Sequence, residues 1–506
     1  MCNDRSKWCG IHSRSTRFYR ILEIVPGAIL WATFIVGAIL SFVRPLWVII
    51  FIICFSFYWL LRVIYFIVYL TVAWLHFRRD AHVDWFARLN REHPDWRRVH
   101  HLIFLPTVYE SVDVIRRTFE GLRVCAYPND RFIVVLAGEE RAGRAEFLER
   151  AELIRSEFGD NFKIIVTVHP ADIAGEVVGK GSNLNYAGHE ALASVDALGV
   201  PREDVIVSAF DVDTVIHPQY FACLTHTFLD HPDRLHASYQ PVALYNNNMW
   251  ESPSFMRVMA FGTTFWLMTE LVRPDRLFTF SSHSMPLTAL VDVGFWENDI
   301  VSEDSRIFLQ CFIKYRGAYS VAPLFVPVSM YTAKAGTLWR SMVNLYKQQR
   351  RWAWGVENFP YMVWHFFFGE GRDIPSAKKT KYLWSLFEGM YSWASAPILL
   401  FIFSRLPLWT VRGAARESVL AQSAPFVLEW LLGIAMLGIF VSAALALTLL
   451  PARPRQAHPV AFIAHVFQWL LLPVTIILFG SFPAIDAQTR LMLGKYLGFY
   501  VAEKER

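Results

Sequence analysis

Two long apolar stretches near the N-terminus constrain this chain more than any other feature. The first runs from about Ile21 to Val43 and the second from about Pro45 to Phe77. Crossing the hydrocarbon core of a bilayer takes about 20 apolar residues in helical form, so each stretch is long enough. Arg5, Lys7, Arg14, Arg17 and Arg20 precede the first, and Arg78-Arg79 close the second. Basic flanks stay on the cytoplasmic side, so two crossings bring the chain back to the cytoplasm. The first stretch exceeds the apolar region of a cleaved signal peptide, and no clear small-residue cleavage site follows it.

From about Asp80 the pattern changes. Short β-branched apolar runs at Leu102–Leu105, Phe132–Leu136, Lys163–Val168 and Val205–Phe210 alternate with charged, helix-compatible stretches such as Val112–Leu122 and Arg141–Phe158. That alternation predicts an α/β domain built on a mostly parallel sheet covered on both faces. Ligands of such sheets bind beyond the carboxyl ends of the strands, which directs attention to Pro106–Glu110, Ala137–Glu140 and Asp211–Asp213. After Trp352 the chain turns apolar and aromatic again. Val356–Phe368 reads as a helix lying along the membrane surface. Tyr382–Ser404, Ala424–Leu450 and Val460–Ser481 read as further spans, with a basic loop at Arg453–His458 and an amphipathic tail at Phe482–Arg506. The expected organisation is a basic flank and two transmembrane helices in residues 1–79, a cytoplasmic α/β domain in residues 80–352, and an interfacial helix, transmembrane helices and tail in residues 353–506.

Composition agrees with a membrane-anchored protein and excludes some alternatives. Hydrophobic residues make up 54% and charged residues 18%, against a usual charged share of about 25%. The net charge of +5 is modest for 506 residues, so no nucleic-acid partner is expected. Cys2, Cys9, Cys54, Cys125, Cys223 and Cys311 show neither a disulfide framework nor zinc-site spacing. A transporter with a cytoplasmic binding module would need more ionisable groups in its spans than Glu388 and Glu429.

Four motifs carry chemistry. Asp211 and Asp213 end the Val205–Phe210 run, and if extension persists they face the same way, as oxygen ligands of Mg2+ or Mn2+. A solvated turn is the plain reading of an isolated Asp-x-Asp. Ser302-Glu303-Asp304 opens a helix-compatible run to Tyr315, where a carboxylate is either a helix cap or a base aimed into a cleft. Gln348-Gln349-Arg350-Arg351-Trp352 packs amides, guanidinium and indole beside a membrane-facing helix, and by itself also reads as a basic, aromatic membrane flank. In Lys180-Gly181-Ser182-Asn183-Leu184-Asn185 a cation beside a glycine is placed to reach a diphosphate.

In this order the motifs resemble those of membrane-integrated family 2 glycosyltransferases, the group containing cellulose synthase and hyaluronan synthase. The resemblance runs from about Leu105 to Trp352. Gln348-Gln349-Arg350-Arg351-Trp352 fits the group's Gln-(Gln or Arg)-x-Arg-Trp pattern, which is associated with processive enzymes. Phe499–Lys504 is similar to a gating loop of cellulose synthase, with Ala502 in place of threonine. The resemblance implies a GT-A-type, Rossmann-like catalytic fold inserted between transmembrane helices. It implies an inverting transfer from a nucleotide-sugar, UDP-linked, to a growing polysaccharide that is passed into the membrane. Asp304 would be the general base, with Glu303 supporting. Thr107, Glu110, Glu139, Lys180, Asp211 and Asp213 would hold the nucleotide-sugar, Asp211 and Asp213 also the metal, and Gln348, Gln349, Arg351 and Trp352 the acceptor and diphosphate. Glu139 and Glu140 stand where the family has aspartates. The expected partners are the donor, a saccharide or lipid acceptor, membrane lipids and an export subunit. A non-processive transferase acting on a lipid or saccharide is the alternative, and a hydrolase using the same carboxylates is a further one. By position, Phe280–Leu287 with Ser282, His283 and Ser284 reads either as part of the acceptor pocket or as a polar loop between strand and helix. Three crossings after the catalytic domain would leave the tail outside, so Val460–Ser481, interrupted by Pro473, is the candidate for an irregular segment.

Overall fold

The apolar runs form strands where their β-branched residues predict them. A computed structural model describes residues 17–452, 454 and 460–498; the basic flank before Arg17, most of the Arg453–His458 loop and the Phe499–Lys504 match lie outside the described residues. Strands β1 (His100–Pro106), β2 (Phe132–Glu139), β3 (Lys163–His169) and β4 (Val205–Ala209) are followed by β5 (Val215–Ile216), β6 (Ala237–Leu244), β7 (Ser284–Pro286) and β8 (Ser320–Ser329). They make one sheet in the order β3-β2-β1-β4-β7-β6-β8-β5. Every residue of β2 and β4 is buried, as expected of strands covered on both faces.

The sheet is mostly parallel, as expected, but mixed, because two short strands run against the rest. β3, β2, β1 and β4 pair in parallel, but β7 runs antiparallel between β4 and β6, and β5 runs antiparallel to β8. β6 and β8 are parallel, with a register shift at Pro241/Val242. The antiparallel strands β5 and β7 have two and three residues, too short to show a two-residue period in the sequence. In the parallel half the registers Leu105↔Leu136 and Phe104↔Ala209 bring the carboxyl ends of β1, β2 and β4 level. The segments after these three strands therefore open onto one place.

Among the described residues, five helices are long and apolar enough to cross a membrane: Arg17–Val43, Pro45–Asp80, Ser376–Thr410, Val419–Thr448 and Ile463–Met492. Each keeps most of its apolar surface outside the protein core, which is what lipid contact requires. The second crosses against the fourth, and the first against the end of the fifth. Gly27 allows that last approach, because a Cβ there would lie 2.8 Å from the Gln488 carbonyl. The fifth span is interrupted by a 3₁₀ turn at Gln468–Leu471 and a π-helical stretch at Ile476–Ser481, on either side of Pro473. Helix continues through Phe482–Met492, so the expected tail is in its first half the end of this span, fixed by an Arg20 hydrogen bond to the Leu491 carbonyl at 2.7 Å. Glu388 sits in the third span and pairs with Arg62 of the second at 3.3 Å, while Glu429 lies 3.8 Å from Arg405.

Candidate active site

The strand that leads to the aspartate pair stops at Ala209, two residues early. Phe210 still donates its amide to the Phe104 carbonyl, but Val212 and Asp213 lie in a turn closed by the Thr214 amide on the Asp211 carbonyl at 2.9 Å. The Thr118 hydroxyl holds the Val212 carbonyl. The alternation that would point both carboxylates one way is thus lost: Asp211 remains about one third exposed, while Asp213 is buried.

Lys180 is the hub of the site. It opens the helix Lys180–Asp196, and its ammonium lies 3.1 Å from Asp211, 3.2 Å from Asp304 and 4.0 Å from Glu303. Burial disfavours its charge, but Asp211, Asp304 and Glu303 together outweigh burial and hold it above the ordinary lysine range. Gly181 makes the approach possible. A Cβ on it would stand 3.0 Å from Glu303 Cβ and 3.0 Å from the Glu297 carbonyl. Asn183 donates to the Ala137 carbonyl at 3.0 Å and Asn185 to the Trp296 carbonyl at 2.6 Å, so the amides of this motif fix the helix to the ends of β2 and of the chain before Ser302.

Asp304 occupies the first turn of the helix Glu303–Lys314 and does not cap it. Ser302 does not cap it either; its hydroxyl donates to Glu357 at 2.7 Å. Behind Asp304, Thr279 donates to its backbone carbonyl at 2.6 Å. Glu303 is buried, and burial followed by the neighbouring Asp304 pushes its carboxyl up to about 8. His283 is buried with Nδ1–H donating to the Phe280 carbonyl at 3.0 Å and lying 3.7 Å from Asp304. Burial keeps its imidazole below the ordinary value against the opposing pull of Asp304. Of the Phe280–Leu287 segment, then, His283 reaches the acid. Ser284 does not: it lies in β7, bonded to Ser208 at 2.7 Å and Tyr220 at 3.1 Å inside the sheet.

The other expected donor residues have structural partners. Glu110 folds back to accept from the Thr107 hydroxyl at 3.0 Å and the Val108 amide at 2.8 Å, which shapes the turn after β1. Glu139 is buried and paired with Arg141. Gln348, Gln349, Arg351 and Trp352 lie in the helix Leu338–Ala353. Gln348, Gln349 and Trp352 line a narrow cleft with Tyr245, Met256 and Met259. Arg351 acts electrostatically on both Tyr245 and Glu303. Arg350, the variable position of the motif, turns away to Asp486 in the fifth span at 2.8 Å.

Tyr245 is the residue that sequence reasoning missed. It follows β6, its ring stands 5.6 Å from that of Trp352, and its hydroxyl is held above the ordinary value first by burial and then by Asp211. No motif in the sequence flags it, because only the pairing of β6 with β8 brings it to the site.

The sequence matches the family described as glycosyl transferase family group 2 over residues 206–480, more than half of the chain. The protein belongs to that family. The match begins in β4 and continues into the fifth span, so it takes in sheet and membrane helices together. This family-group-2 protein therefore has a GT-A-like glycosyltransferase fold on a mixed sheet and is a glycosyltransferase. Among solved structures, the mannosyltransferase PcManGT from Pyrobaculum calidifontis in complex with GDP-Man and Mn2+ is 14% identical at a TM-score of 0.44, with 85% of this chain and 99% of that one covered. S. aureus TarS 1-349 in complex with UDP-GlcNAc is 13% identical at a TM-score of 0.37, covering 70% and 93%. No curated protein matches the sequence.

Proposed function

We propose that this glycosyltransferase elongates a polysaccharide at the cytoplasmic face of a membrane, transferring sugar from a UDP-linked donor with inversion and feeding the product into the membrane. The observation that carries the reading is the single Lys180 ammonium shared by Asp211 and Asp304. It puts the acid expected beside the donor diphosphate and the acid expected beside the acceptor hydroxyl within one ion pair of each other.

Asp304 accepts the proton of the acceptor hydroxyl as that oxygen bonds to the anomeric carbon. The bond from this carbon to the diphosphate breaks, and its electron pair leaves with the diphosphate. Lys180 and Arg351 face the growing negative charge on the leaving group. Glu303, protonated near neutrality, keeps a further negative charge away from Asp304. Tyr245 and Trp352 offer apolar ring faces to the acceptor sugar, and Gln348 and Gln349 offer amides to its hydroxyls.

Asp211 supplies a hard oxygen donor open to solvent, which fits Mg2+ or Mn2+, and Asp213 stands buried in the same turn, two residues on, as the candidate second oxygen ligand. Bound there, such an ion supplies charge stabilisation to the diphosphate. The processive form of the reading is supported by the Arg350–Asp486 pair, which ties the acceptor helix to the fifth span.

Purified protein in nanodiscs, given a panel of UDP-sugars with Mg2+ or Mn2+, should release UDP and build long product without added acceptor. A product one sugar larger, formed only when lipid or saccharide is added, would replace processive synthesis with single transfer.

A further inference from the structure

A second cluster of ligand-type side chains lies at the other end of the sheet. Glu92 and His93 end the helix Trp85–Glu92, which follows the second span, and His226 and Asp230 stand four apart on the helix Tyr220–Asp230. Four-residue spacing puts His226 and Asp230 on one helical face. The neighbouring Thr225 bonds His101, the second residue of β1, at 2.9 Å. Donor site and cluster are therefore separated by about the length of a seven-residue strand, roughly 20 Å.

The hydrogen bonding of His226 is the decisive detail. The ring is buried, with Nε2 2.8 Å from Glu92 and Nδ1 3.3 Å from Asp230. A neutral imidazole has one N–H. When Nε2–H donates to Glu92, the Nδ1 lone pair faces a carboxylate oxygen, and either a proton or a metal ion between them makes that contact favourable. His93 Nε2 lies 2.8 Å from the same Asp230 carboxylate, and donor atoms of His93, His226 and Asp230 all fall within 4.8 Å of one another. A metal-bound histidine usually donates its other N–H to a carboxylate, which is the relation Glu92 has to His226.

We propose that His93, His226 and Asp230 form a site for a transition-metal ion of the zinc type, with Glu92 orienting His226 from behind. Two imidazoles and one carboxylate suit zinc, and a half-exposed Asp230 leaves a fourth position open to water. The ion would staple the helix leaving the membrane to the helix that follows the Asp211–Asp213 turn. This site contains no cysteine, so cysteine spacing could not announce it.

The test uses the full chain in detergent, stripped with chelator, then equilibrated with zinc at micromolar free concentration while excess Mg2+ occupies the donor site. Bound metal is counted by elemental mass spectrometry, and Co2+ in place of zinc reports ligand geometry by its visible spectrum. Wild type and Asp211→Asn should each retain one zinc. His93→Ala should retain none, and Glu92→Gln should bind about tenfold more weakly. Zinc should raise the melting temperature of wild type and leave that of His93→Ala unmoved, which separates loss of a ligand from loss of folding. A wild-type protein that retains no zinc, or a His93→Ala protein that retains as much, overturns the proposal and leaves a hydrogen-bonded ion cluster.

Discussion

Two buried cations address the same helix, Glu303–Lys314, and differ in what they leave available. Arg306, one turn into that helix, is sealed. It donates to Glu297 at 2.6 Å and to Asn358 at 2.7 Å, and its guanidinium lies 3.7 Å above the Tyr361 ring. Lys180 meets the same helix at Asp304, but it stands among three acids, two of them open to solvent. A cation paired one to one and stacked is a frame. A cation outnumbered by acids that solvent can reach is one whose partners can exchange when a phosphate or a proton arrives. The contrast separates the structure that holds Asp304 in place from the charges proposed to act on substrate.

Substitutions should divide along that line. Removing the sealed cation has the largest effect on the fold: Arg306→Met strands Glu297, whose carboxyl burial already pushes up, and should cost about 3–5 kcal/mol of stability. Thermal unfolding and folded yield report it. Lys180→Met should fold, because water can reach Asp211 and Asp304, yet lose about 10²–10³ in transfer rate. Equal stability losses in the two variants would erase the distinction between frame and working charge. A smaller effect belongs to the pair that links the site to the membrane. Arg350→Gln and Asp486→Asn, taken singly and together, should show a coupling of about 0.5–1 kcal/mol in stability, as suits a partly exposed pair.

The smallest effect sharpens the comparison most finely. Glu303 holds its proton up to about pH 8, so Glu303→Gln should keep neutral-pH transfer within about threefold and remove the decline on the alkaline side. The sign follows from the raised carboxyl: its contribution to stability is full below the ordinary 4.5 and is lost as pH rises through about 8. A pH profile of transfer and of melting temperature for both proteins checks each half. An unchanged alkaline limb in Glu303→Gln would assign the decline to another group.

Much of this was legible in the sequence where the signal is local. β1 to β4 lie where their β-branched runs end in turn residues, and the helix from Val112 extends to Arg123 against an expected Leu122. The spans follow from uninterrupted apolar length, and Pro473 marks the one with irregular backbone. What the sequence hid is long-range. Nothing near Ser302 announces that its hydroxyl will meet Glu357, nor does anything near Arg306 announce Asn358, because helix packing joins them across more than 50 residues. The orientation of Asp213 depended on a strand end, and a turn pinned by Thr118 decided it differently. Glu303 looked merely supportive because its burial comes from the close approach of Gly181.

The most direct test of the account compares wild type with Asp304→Asn in two assays, UDP binding and sugar transfer. Asn keeps the size of the side chain and its place beside Lys180 but cannot take the acceptor's proton. In Asp304→Asn, UDP affinity should stay within a few-fold of wild type while transfer is abolished. Transfer persisting at a substantial rate, or UDP binding lost together with it, would contradict Asp304 as the base and the division of labour across the Lys180 bridge.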